Sequence, residues 1–157
     1  MREIIFRGKR VDNDEWVYGF LICMNYIDVW EQKVCYDGQE EIKYCTTKSY
    51  QVKSETVSQF TGLTDKNGKK IFEGDIIKAY FQPKNFKNPP YAIGNVIFEN
   101  GTFKVVVHVS KNSTVYNVFE KEDTAAYSIE HNFLDRYYVL EVIGNIHDNP
   151  ELLQEVK

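Results

Sequence analysis

The sequence predicts a mostly β protein: an N-terminal hairpin with a variable insert, packed with a small SH3-like or OB-like antiparallel barrel that ends in a short C-terminal helix. Three observations carry this. Apolar runs are separated by Asn67-Gly68, Asn100-Gly101 and Asp37-Gly38, dipeptides that accept the positive φ of tight hairpin turns. The runs between them alternate apolar and polar residues with a period of two. Aromatics make up 15% of the 157 residues, and such rings pack well on a pleated surface.

The first hairpin runs from Ile4-Ile5-Phe6 through a turn at Val11–Glu15 and returns along Trp16–Ile22. Alternation places Trp16, Tyr18, Phe20 and Ile22 on one face. Gly19, on the other face, marks a bulge or the close approach of another backbone. Residues 23–48 read as a two-strand excursion around Asp37-Gly38 rather than a helix, with Tyr26–Trp30, Val34–Tyr36 and Glu40–Cys45 as strand pieces. Tyr50–Lys53 is a short strand. Ser54–Phe60 is either a helical turn or a strand ending at Gly62. Residues 1–59 thus form one region and 60–157 a second.

The second region opens with Phe60–Phe81. Asp65–Lys69 is its turn, Gly74 its bend and Ile76–Phe81 a strand. Three prolines within 82–90 (Pro83, Pro89 and Pro90) exclude a central strand there and favour an exposed loop. Tyr91–Phe98 is a strand with a bulge expected at Gly94. Asn100-Gly101 turns it into Phe103–Val109, whose odd-numbered residues Phe103, Val105, Val107 and Val109 share a face. Residues 110–136 are polar, with Val115–Phe119 as an edge strand. Tyr137–Ile146 is the last strand, with Tyr138, Leu140, Val142 and Ile146 inward and Gly144 at a bend. Asp148 or Asn149 as cap, Pro150 in the first turn and Glu151 near the dipole then predict one short helix.

Composition removes several function classes. The net charge of −4 argues against a dedicated duplex-DNA binder, which needs clustered Lys and Arg. No apolar run reaches the length of a membrane span, and MREIIFRGKR lacks a signal-peptide core, so a cytoplasmic protein with no membrane partner is expected. Cys23, Cys35 and Cys45 lack C-x-x-C spacing and are odd in number, which suits buried reduced thiols better than disulfides or a zinc site. His108, His131 and His147 stand apart in sequence. His147-Asp148 reads as capping rather than as a base and its orienter, and Glu73 and Asp75 around Gly74 read as bend anchors. No phosphate loop, nucleophile elbow or metal-helix motif is present. No catalytic residue, metal ligand or cofactor is assigned.

Three segments resemble the YopX family of phage and prophage proteins: Phe6-Arg7-Gly8-Lys9 with Trp16-Val17-Tyr18-Gly19, then Gln59–Ile77, then Glu141–Leu153. The resemblance implies a phage or mobile-element origin and a β-rich fold with a small barrel-like part. It implies no established activity and supplies no site residues.

The candidate interaction surface is therefore drawn from composition alone. Tyr80, Phe81, Lys84, Phe86, Lys87 and Tyr91 interleave aromatics with lysines around the proline-rich loop, a pattern that can stack bases or grip a protein. Core strand residues are the simpler role for Tyr80, Phe81 and Tyr91. The leading expectation is a non-enzymatic module that binds a protein partner or itself. Single-stranded nucleic-acid binding comes second, and an enzyme with a dispersed site last.

Overall fold

A computed structural model describes residues 3–38, 40–81, 91–111, 126–128 and 138–154. They form antiparallel β structure in two compact units, Met1–Phe60 and Thr61–Lys157.

The first unit holds β1 (Phe6–Lys9), β2 (Trp16–Cys23), β3 (Tyr26–Asp37), β4 (Glu40–Gln51), a 3-10 turn at Ser54–Thr56 and the start of β5 (Ser58–Thr64). Its sheet runs β4-β3-β2-β1-β5. The β1–β2 turn is closed by a hydrogen bond from Arg10 N to Glu15 O (2.9 Å), and Asp14 adopts φ 61°. β2 pairs with β1 through Trp16–Gly19 and with β3 from Phe20 onward. That change of partner is possible because Gly19 has no side chain: a Cβ there would lie 2.1 Å from the Asp28 carbonyl oxygen. On the same face a Cβ at Gly8 would meet Val52 and Ile27, both fully buried. The expected excursion over 23–48 is one long ribbon, since Tyr26–Trp30 and Val34–Tyr36 join as the single strand β3. Ser54–Phe60 contains both options left by the sequence, the 3-10 turn followed by β5.

In the second unit, β5 continues beside β6 (Lys70–Phe72). A five-stranded sheet of β7 (Asp75–Phe81), β8 (Tyr91–Glu99), β9 (Thr102–Lys111), β10 (Ala126–Ser128) and β11 (Tyr138–Asn145) has the order β10-β9-β8-β7-β11. Asn100 (φ 53°) and Gly101 (φ 79°) make the expected hairpin turn. The β8–β9 register shifts at Gly94, where a Cβ would lie 2.2 Å from the Val106 oxygen. Phe103, Val105 and Val109 are buried, and Val107 packs against the same core, which includes Ile71, Ile77, Val96 and Leu140.

The loop after β5 is organised by one carboxylate. Buried Asp65 accepts hydrogen bonds from the N–H groups of Asn67 (2.8 Å), Lys69 (2.9 Å) and Val142 (3.1 Å). It therefore shapes the turn and fastens it to β11. Burial works to raise its pKa, but the donors of Val142, Lys69 and Asn67 outweigh this and hold it below the usual 3.8.

Two fold expectations are corrected. No closed barrel forms among the described residues: closure needs the first and last strands to pair, and the ends of this sheet, the three-residue β10 and β11, are not neighbours. The C-terminal helix is a single 3-10 turn, Pro150–Leu153. Asn149 makes no side-chain cap, and Gln154 is already extended (φ −94°, ψ 136°), so too few residues remain to nucleate an α-helix. Ile146, expected inward, is partly exposed. The expected strand Val115–Phe119 and the proline-rich loop 82–90 lie outside the described residues.

Gly19→Ala or Gly94→Ala pushes a methyl into a backbone oxygen, and each should cost about 3 kcal/mol or more in chemical denaturation. Gly68→Ala meets open space and pays only for its φ of 79°, so it should cost about 1–2 kcal/mol. A lowered folded-state pKa at Asp65 adds stability that is present above 3.8 and lost as pH falls through the folded value. The stability of Asp65→Asn should accordingly depend less on pH below 3.8 than that of the native chain, with stability at neutral pH reduced by about 1.5–3 kcal/mol.

Candidate interaction surfaces

Two of the six residues singled out in the sequence are brought together. Tyr80 and Tyr91 are directly opposed on β7 and β8, with ring centroids 6.2 Å apart. Lys78 Nζ lies 3.9 Å from the Tyr91 ring centre and 5.0 Å from that of Tyr80, and Lys66 Nζ is 5.1 Å from the latter. The Tyr80 hydroxyl donates to Glu141 Oε2 (2.8 Å), which also takes Lys66 Nζ at 2.9 Å. Burial, and then the Glu141 carboxylate, pushes the Tyr80 phenol up; the Lys66 ammonium, with the Tyr80 hydroxyl, draws Glu141 down. Both rings are half-buried strand residues, so this is a cross-strand aromatic pair bordered by cations. Phe81 lies on β7, and its side chain is outside what the structure describes. Lys84, Phe86 and Lys87 lie outside the described residues.

The other titratable candidates serve the fold. Asp75 Oδ2 accepts from Phe72 N (2.8 Å) beneath the Gly74 bend. Asn145 Oδ1 accepts from the N–H of His147 and Asp148, while its Nδ2 donates to Asp148 (2.7 Å). His108 Nε2 bonds Asn95 Oδ1 (2.7 Å) on the neighbouring strand. Among the described residues no three His, Cys, Asp or Glu side chains are grouped to hold a metal, and no helix is long and apolar enough to cross a membrane. Cys23, Cys35 and Cys45, expected to be buried, are exposed thiols: β3 and β4 carry Cys35 and Cys45 out on a ribbon, and Cys23 ends β2.

A larger surface is one the sequence indicated without revealing its use. Tyr18 and Phe20 do share a face, as alternation requires, but that face meets solvent: they are 50% and 47% exposed, and Trp30 is 59% exposed; Ile22 falls at the register shift between Leu21 and Cys23, where alternation is broken. The core of the first unit forms on the other side, where Gly8 and Gly19 let Ile27 and Val52 close in. Phe20 and Trp30 contact edge to face, with centroids 6.3 Å apart. With Ile4 and Phe6 these residues line a groove of about 770 Å³. Beside it, the Arg7 guanidinium stacks 4.6 Å from the Trp16 ring centre. Aromatic rings held on paired strands can bury apolar side chains of a partner.

A model of the family described as YopX protein matches residues 5–154. The crystal structure of protein EF1440 from Enterococcus faecalis is similar in fold, with a TM-score of 0.54 and 24% sequence identity over 98% of this chain and 100% of that one. No curated protein matches.

Proposed function

The chain belongs to the YopX family, and from that premise we propose that it is a non-enzymatic protein-interaction module of a phage or mobile element, acting in the bacterial cytoplasm without a cofactor. One observation carries the reading: the exposed apolar groove around Phe20 and Trp30 in the first unit. A monomeric surface rarely keeps contiguous aromatic area in water without a use for it, and Trp and Tyr are the residues on which interface energy concentrates. The groove is held by paired strands, so little conformational entropy is lost when a partner docks. A photo-crosslinking residue in place of Tyr18, expressed in a bacterial host, should give a small set of discrete protein adducts. Phe20→Ser and Trp30→Ala should each weaken the recovered complex by about 30-fold while leaving thermal unfolding unchanged. Absence of adducts, or adducts indifferent to both substitutions, would refute the docking role.

A second reading rests on the Tyr80–Tyr91 pair flanked by Lys66 and Lys78. Rings beside ammonium groups suit single-stranded nucleic acid, where bases stack and phosphates pair with cations. Fluorescence anisotropy with a labelled oligonucleotide at low ionic strength decides it. Binding that falls with added salt and is lost in Tyr91→Ala supports this reading; no binding at low salt disposes of it.

A further inference from the structure

The outer half of the β3–β4 ribbon is a two-stranded structure with apolar residues exposed on both faces. Val34 and Tyr36 fall on one face by the register, and Tyr44 on the other. An isolated pair of strands is marginal in water and gains from further strands at its edge. β4 is the edge: it ends the sheet order, and its ladder with β3 is unbroken from Tyr26↔Gln51 to Asp37↔Glu40.

The ladder also fixes which backbone groups face outward. Val52 N donates to Asn25 O (2.8 Å), so even-numbered residues of β4 direct their N–H and C=O groups toward β3. Odd-numbered ones direct theirs away. Gln51 agrees, since its carbonyl accepts from Val11 N (3.0 Å) on the outer side. Cys45 and Thr47 therefore each present a donor and an acceptor along this edge, which no other described strand covers.

We propose that β4 pairs antiparallel with β4 of a second copy about a twofold axis at Tyr44, joining two ribbons into one four-stranded sheet. A twofold axis normal to a sheet keeps each face on its own side, so opposed residues must share parity. The axis must therefore pass through a residue rather than between two. Centring on residue 43 or 48 sets lysine against lysine. Centring on Tyr44 places Tyr44 opposite its own copy in a non-hydrogen-bonded pair, where side chains approach most closely. It also brings Lys48 of each copy level with Glu40 of the other, residues of opposite charge, twice over by symmetry. A pair of aromatics at the centre with charged pairs at the margins is the arrangement of a specific interface.

This pairing uses the strand edge and leaves the Phe20 groove alone, so it stands or falls independently of the docking role. By sedimentation velocity the full chain should have twice the 18.4 kDa chain mass, and Phe20→Ser should stay dimeric. Thr47→Pro removes an outward N–H and should leave a folded monomer. Engineered thiols read the register and decide the matter should that variant fail to fold. With Cys23, Cys35 and Cys45 all changed to Ser, Tyr44→Cys should oxidise to a covalent dimer and Thr46→Cys should not. A monomeric native chain overturns the proposal, as does a folded Thr47→Pro dimer or crosslinking through position 46 instead of 44.

Discussion

Two backbone oxygens, those of Asp28 and Val106, stand where side chains would otherwise be, beside Gly19 and Gly94. Each approach sits where a strand changes its pairing: β2 passes from β1 to β3 at Gly19, and the β8–β9 register shifts at Gly94. Strands of this length, if flat, would expose both faces. The glycines let them coil and set which side closes over a core. The rest of each unit follows from where those two bends fall.

In the first unit the bend decides the character of the surface. Ile27 and Val52 fill the glycine side, and Tyr18 and Phe20 of β2 face solvent. Hydrophobic burial alone would favour the reverse arrangement, since Trp16, Tyr18 and Phe20 carry far more apolar area than glycine. The fold keeps a small, tight core and displays the aromatics. In the second unit the balance is ordinary. Phe103, Val105 and Val109 of β9 are covered, and Asp65 spends its carboxylate on three backbone donors rather than on solvent.

Much of this was legible in the sequence, and what was not has a physical reason. Hairpin turns are local, so Asp37-Gly38, Asn67-Gly68 and Asn100-Gly101 announced themselves, as did the irregularities at Gly19, Gly94 and Gly144. Alternation grouped Tyr18 and Phe20 but is silent on which of two faces is covered, and the bulge at Ile22 interrupts it. The absence of a Cβ at Gly8 and Gly19 was the available clue. Barrel closure depends on whether distant strands meet, and no short-range pattern encodes that. The C-terminal segment carried good capping residues, yet Asn145 takes the N–H groups of His147 and Asp148 for its own turn, and four residues of 3-10 structure remain. The sequence set Tyr80 and Tyr91 near lysines but carried no sign that the two rings oppose each other across β7 and β8. The rings do meet lysines, but as neighbours in a sheet.

One feature of the chain path bears on how such proteins diversify. The division between the two units falls inside β5, between Phe60 and Thr61, with Ser58 and Gln59 laddered to β1 and the far end of the strand running beside β6. Recombination that swaps one half for a foreign sequence must rejoin it in mid-strand, where a slip of a single residue would turn every following side chain to the opposite face. Inheritance of the two halves as a pair is the expected result.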